Sequence, residues 1–304
     1  MTDVAAIAEG LARFEARGPC TDAERRAAGW LHDELRAAGH EAWVETHWVR
    51  PQWALALALQ ATLGVVASLL AISSPLAGLV VAAVATVVPL RWLFPRRATQ
   101  NVLTVPEAEG VTLLICAPYA APRGGIGRRF VEGRELWVTA ALALVAVCAG
   151  LRLLDHDGLW LGLLQFVPTL FLLLALAAAG DAAVSSPVAG GETPPAVAVA
   201  LYDELVRNPP ERLSPALLLH GALRAHLRRE KPDRARTVVL ELRPGTGYAT
   251  SHQQLRAAAE TAGLDRVRRR VWLRRLPVLW LGASDEQALD SALACVDALD
   301  AELP

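Results

Sequence analysis

The chain has almost no lysine: among its 30 basic residues only Lys231 is not an arginine. So uniform a skew reads as genomic base composition rather than as a phosphate-reading surface. Charge of either sign is scarce at 20% of residues, and the two signs cancel to a net −1 with a pI near 6.7. Without a clustered basic excess there is no bulk attraction to nucleic acid, and no nucleic-acid partner is expected. Cysteine is equally sparse. Cys20, Cys116, Cys148 and Cys295 form no CxxC pair and no Cys/His cluster, which excludes a zinc knuckle or a disulfide framework and leaves buried free thiols. Glycine and proline occur in ordinary proportions, 22 and 19 residues, which excludes a collagen-like chain. The first residues carry Asp3 and Glu9 in an amphipathic pattern. A cleaved export signal would need a basic start and an apolar core, so none is expected.

What the chain has in abundance is apolar side chains, 53% of residues with a mean hydropathy of +0.31. They are not spread evenly. No Asp, Glu, Lys, Arg or His occurs from Trp53 to Leu90, and Ser73-Ser74-Pro75 divides this run into two segments, each about 20 residues, the length that crosses a ~30 Å hydrocarbon core. A second uncharged run, Leu136 to Leu151, leads to the polar tip Asp155-His156-Asp157, and Gly158 to Gly180 returns from it. Two transmembrane hairpins are therefore expected, at 53–94 and 136–180, with four transmembrane α-helices in contact with a lipid bilayer. Trp53, Trp92, Trp137 and Trp160 lie near segment ends, as interfacial anchors do. Arg50, Arg91, Arg96, Arg97, Arg123, Arg128, Arg129 and Arg134 flank the hairpin bases, against Arg152 alone near a tip. The positive-inside rule then puts the bases, and the segments attached to them, in the cytoplasm. No ionisable residue falls at mid-span, and such residues are what mark ion or proton pathways, so a transporter or channel is not expected.

Both hairpins leave and return on one side, so residues 1–50, 95–135 and 181–304 can form one discontinuous soluble domain. Thr21-Asp22-Ala23-Glu24 is a capping box opening a helix to Ala38, with Gly39 as its stop. Strands are expected at His40–Val49, Asn101–Val105, Val111–Ala117, Pro215–His220, Thr237–Leu242, Val267–Leu273 and Pro277–Gly282. Helices are expected at Ala196–Arg207, from His220 to Glu230, at Ser251–Ala262 with Ser251 as the cap, and at Asp285–Leu303. Gly245-Thr246-Gly247 reads as a strand-to-helix turn. Strands interleaved with helices of this length imply an α/β fold: a mixed, mostly parallel sheet flanked by helices.

Four strings carry a resemblance: TDAERRAAGWLHDELRAAGHEAWVET at 21–46, QNVLTVPEAEGVTLLICAPYA at 100–120, SSPVAGGETPPAVAVALYDEL from Ser185, and SPALLLHGALRAHLRR followed by TVVLELRPGTG. In order and in local pattern they resemble the M28 family of zinc-dependent aminopeptidases. The resemblance implies a two-zinc site of His and carboxylate ligands with a glutamate as general base. It also places the ligands on residues that cannot serve. The family's metal-binding His falls on Pro118 and its neighbouring Asp on Ala120. The bridging Asp falls on Gly191, the Glu-Glu pair on or near Leu223-Arg224, and the next acid on Leu242; no histidine follows His252. Neither a metal nor another cofactor is expected at such a site.

Two functional readings follow. In one, the domain is a catalytically inactive M28-like module acting in binding, scaffolding or regulation. A protein or peptide would occupy the altered site, and homo-oligomers would form through hairpin faces containing Gly64 and Gly78. In the other, Glu192 and Glu241, each one position from a lost ligand, and His220, at a strand end near the lost glutamates, rebuild a zinc-dependent hydrolase; three or four convergent ligands are what this requires. Gly124-Gly125-Ile126-Gly127 lacks phosphate-loop spacing. The cluster Arg266, Arg268, Arg269, Arg270, Arg274 and Arg275 suits either anionic lipid headgroups or a solvated edge strand.

Overall fold

A computed structural model of the chain describes residues 3–88, 90–104, 110–121, 125, 135–154, 158–185, 191–267, 276–284 and 287–302. The chain separates into two compact units, one comprising 1–49, 98–122 and 187–304, the other 50–97 and 123–186.

The first unit is an α/β layer structure. It opens with α1 (Val4–Ala12) and α2 (Asp22–Ala37), then β1 (Ala42–Val49). The capping box closes as expected, since Thr21 Oγ1 accepts the Glu24 N–H at 3.2 Å and Gly39 leaves the helix at φ +90°. The Glu24 carboxylate reaches back to the N–H of Cys20 and also takes the Thr99 hydroxyl at 2.5 Å. Burial raises the Glu24 pKa, and these hydrogen bonds partly offset the rise. Next come β2 (Arg97–Thr104) and β3 (Val111–Pro118), and after the second unit's helices α7 (Thr193–Arg207), β4 (Leu213–His220), α8 (Leu223–Glu230) and β5 (Thr237–Arg243). The unit closes with β6 (Tyr248–Thr250), α9 (Gln253–Thr261), β7 (Val278–Gly282) and α10 (Ala288–Glu302).

The seven strands lie in the order β1-β2-β4-β3-β5-β7-β6. The central strands β4, β3, β5 and β7 are parallel, and β2 and β6 pair antiparallel at either side of them. All eight residues of β4 are buried, as two-sided coverage of a parallel sheet requires. Successive side chains alternate between two cores. Leu113, Ile115, Leu217, Leu219, Leu240 and Leu242 pack with Leu31 and Leu35 of α2 and with α7, while Leu114, Cys116, Leu218 and Val239 pack with Leu223 and Leu227 of α8. Two expectations change here. Gly245 and Gly247, at φ +130° and +73°, lead from β5 into the short strand β6 rather than into a helix. Helix α9 is capped at His252 with no side-chain bond, and it is Thr250 Oγ1, not Ser251, that takes the His252 N–H at 3.2 Å. The Val267–Leu273 strand and the arginines 268–270 and 274–275 lie outside the described residues, as do Arg123, Arg128, Arg129, Arg134 and the tip 155–157; Val267 itself is not in a strand.

The second unit is a helical bundle of α3 (Trp53–Ser73), α4 (Pro75–Val87), α5 (Glu135–Leu153) and α6 (Leu159–Val184). Three of these are long and apolar enough to cross a membrane, and only 28–33% of each span is buried, so the bundle turns most of its apolar surface outward. The fourth falls short of expectation. At 13 residues α4 is about 20 Å long at 1.5 Å per residue, less than the ~30 Å core. Val88 is already extended at ψ 122°, the conformation that a following proline, Pro89 in the sequence, imposes. The ends of this hairpin meet: Arg50 donates Nε to Phe94 O at 3.3 Å and its Cζ lies 5.2 Å from the Trp92 ring centre. Small and polar residues set the helix spacing. A Cβ on Gly64 would lie 2.5 Å from Leu142 and one on Gly78 2.6 Å from the Ala71 backbone. Both glycines are thus used inside the bundle. Gln165 Nε2 donates to Ser68 O at 2.6 Å, and the Ser68 and Thr169 hydroxyls are 2.6 Å apart.

Candidate functional site

In parallel α/β sheets ligands gather outside the carboxyl ends of the strands, and the positions singled out by the sequence resemblance lie there. Pro118 ends β3 and stands in register with His220 at the end of β4. Ala120 is half-buried two residues further on, and Gly191 sits at φ +89° just ahead of α7. Leu223, the first residue of α8, points into the core between that helix and the sheet. Leu242 is fully buried on the α7 side of the sheet. Glu241 precedes it by one residue and so faces the α8 side. It is therefore not a slipped replacement for an acid at 242.

Glu241 is 3% exposed and accepts two hydrogen bonds from the Arg243 guanidinium, at 2.8 Å from Nε and 2.6 Å from Nη2. His220 Nε2 lies 3.9 Å from the same carboxylate oxygen and makes no hydrogen bond. Burial, then the charges of Arg243 and His226, push the His220 pKa down to about 3, so the ring is neutral near pH 7 although a carboxylate is close. The carboxylate charge is spent on Arg243. Cys116 pairs in register with Glu241, and burial together with that charge drives its thiol well above the usual range, which makes it a poor nucleophile.

Glu192 occupies the position ahead of α7 but does not cap it. Its carboxylate takes Arg17 Nη2 at 2.9 Å. Arg17 is 2% exposed and donates also to the carbonyls of Tyr119, at 3.2 Å, and Leu11. The arrangement stitches the end of α1, the segment after β3 and the start of α7 together. Of the three candidates, His220 and Glu241 are thus neighbours, while Glu192 is engaged by Arg17.

Among the described residues the grouping of three donors that does converge is a different one: Glu45 and His47 of β1 with His226 of α8, whose donor atoms all lie within 4.8 Å of one another. Glu45 Oε2 is 2.8 Å from His226 Nδ1 and 2.9 Å from His47 Nε2, and Glu45 Oε1 is 3.0 Å from Arg229 Nη1. Burial opposes ionisation of Glu45, but the hydrogen bond from His226 and the proximity of His47 outweigh it and lower the carboxyl pKa. Sequence reasoning missed this cluster. The available signal was Glu-x-His in a strand, which places both side chains on one face; the third member is 181 residues beyond Glu45. A cleft of about 310 Å³ lined by Val111, Thr237, His252 and Pro277 lies at the opposite, amino ends of the strands.

The chain matches no protein-family model and no curated protein sequence. Among solved structures it is similar to the glutaminyl cyclase of Fimbriiglobus ruber, at 10% identity and a TM-score of 0.45, over 98% of this chain and 93% of that one. A likeness this distant leaves the chemistry to be argued from the chain's own residues.

Proposed function

We propose that the chain is an integral membrane protein whose α/β unit works by binding, as a scaffolding or regulatory module, and not by hydrolysis at the strand ends. The observation that carries this reading is the state of the carboxylates there. Glu241 and Glu192 are each held by a guanidinium, Arg243 and Arg17, where a dication would meet like charge. Pro118, Ala120, Gly191 and Leu242 contribute no donor side chain. The bundle's outward apolar surface supports its placement in lipid. The arginine distribution along the sequence supports a cytoplasmic α/β unit, with a protein or peptide as its partner and self-association through the bundle as a further mode.

The enzymatic reading, a hydrolase rebuilt on Glu192, His220 and Glu241, is favoured by one feature, the unpartnered Nε2 of His220 near Glu241. Turnover separates the two. Purified protein supplied with zinc is assayed on a panel of aminoacyl and pyroglutamyl-forming substrates. No turnover above a Glu241→Gln background is expected. Activity abolished by Glu192→Ala or Glu241→Gln would overturn the binding reading.

A further inference from the structure

We propose that Glu45, His47 and His226 form a binding site for a single transition-metal dication of the zinc class, between the edge strand β1 and helix α8.

The donor set is the first support. Two imidazoles and one carboxylate suit a borderline ion such as Zn²⁺, and two His with one Glu is a donor set that leaves a fourth tetrahedral position for water. Distances are the second. Zinc bonds of about 2.1 Å imply ligand atoms about 3.4 Å apart around a tetrahedral ion. Here Glu45 Oε2 lies 2.8 and 2.9 Å from the two ring nitrogens, and no pair of donor atoms exceeds 4.8 Å. Small side-chain rotations reach the required spacing without moving the backbone.

The third support is burial. His47 is 7% exposed, and its Nε2 stands 2.9 Å from Glu45 Oε2 at an angle unsuited to a hydrogen bond. Lone-pair donation to an ion would use that buried nitrogen where the direct contact is poorly aligned. The surroundings hold the ligands in place. Arg229 Nη1 donates to Glu45 Oε1 at 3.0 Å and leaves Oε2 for the site; the Arg229 side chain is 64% exposed, so water screens its charge as it cannot screen that of Arg17, at 2%. Two ligands come from β1 and one from α8, so an ion here fastens the sheet's edge strand to the helix covering its inner neighbours.

The test uses the full chain in detergent micelles, free of any polyhistidine tag and stripped with a chelator. Zn²⁺ is titrated against a chromophoric competitor, and Co²⁺ is added separately to read its visible d–d absorption. One ion per chain and a tetrahedral-type cobalt spectrum are expected. Replacing a group that only orients a metal ligand costs about 10- to 100-fold in affinity, so His47→Ala and His226→Ala should each lose more than that. His32→Ala, on α2, should stay within a few-fold of the parent. Each variant's thermal unfolding in chelator is compared with the stripped parent, and a variant that melts normally yet fails to bind supports the site. Substoichiometric zinc in the parent, or a cobalt spectrum unchanged in His47→Ala and His226→Ala, would overturn it. The parent spectrum reads the coordination directly even where a variant does not fold.

Discussion

Replacing Arg17 tests whether Glu192 is an anchor or a reactive group. Arg17→Met keeps the length of the side chain and fills most of its volume, so cavity formation contributes little. What disappears is a guanidinium that is 2% exposed and serves Glu192 Oε1 at 2.9 Å and the carbonyls of Tyr119 and Leu11. Breaking a buried ion pair by removing one partner costs about 3–5 kcal/mol. Glu192 is 20% exposed and regains some water, which puts the expected loss near the lower end, about 3 kcal/mol. For a folding unit of roughly 150–250 residues each kcal/mol corresponds to about 2–4 °C in Tm, so the α/β transition should fall by about 6–12 °C. Arg17→Lys keeps the charge but offers no planar fork, and should recover only part of the loss. The double variant Arg17→Met with Glu192→Gln should melt above Arg17→Met alone, because the part-buried carboxylate that has lost its guanidinium is no longer charged. Differential scanning fluorimetry in micelles reads all four. An Arg17→Met protein melting within about 2 °C of the parent would refute the anchoring role of the Arg17–Glu192 pair.

Three other expectations follow from the same contacts. His220 titrates at about 3 in the folded state against about 6.5 when unfolded, so the unfolded state binds more protons in between and stability falls as pH drops below about 6.5. By linkage the loss between pH 7.5 and 5 is about 2 kcal/mol, measurable as the extra pH dependence of the parent over His220→Gln in urea unfolding; parallel curves would contradict it. Gly78→Ala puts a methyl group 2.6–2.8 Å from the backbone of Ala67 and Ala71. It should cost about 1–3 kcal/mol, seen as a lower midpoint in detergent unfolding, and an unchanged midpoint would mean the hairpin is not so close. Gln165→Leu removes the bonds to Ser68 at 2.6 and 2.8 Å and should cost about 0.6–2 kcal/mol, read in the same unfolding series.

Features governed by neighbours in sequence were legible from sequence, and those governed by the fold were not. Thr21 and Glu24 declare a helix start because the capping bonds are made within three residues, and β3 reads as central because its side chains are apolar on both faces. Pro89 is an equally local signal, and α4 ends at Val87 ahead of it although the absence of charge continues to Leu90. Tyr248–Thr250 is too short for any periodicity to register as a strand. The end-of-strand carboxylates illustrate the other limit: Glu192 and Glu241 were visible as residue types, but whether each stands free depends on Arg17 and Arg243, and only Arg243 is near its partner in sequence. His226 meets Glu45 from 181 residues away, a distance at which no motif speaks.

The bundle's helices enter the chain between β1 and β2 and again between β3 and α7, so the sheet is written in three instalments. During synthesis the strand that will lie at the sheet's centre, β3, is complete while both its neighbours, β4 and β5, are still untranslated, and a second apolar hairpin must emerge before they exist. With the bundle in lipid as proposed, its apolar helices would insert as they clear the ribosome, but the domain cannot assemble until the last third of the chain arrives. The early segments would then spend that interval tethered at the bilayer with both edges of β3 unpaired. Maturation of this protein is accordingly a question of what shields β2 and β3 while they wait, and slowing elongation after the second hairpin should raise the fraction lost to aggregation or proteolysis.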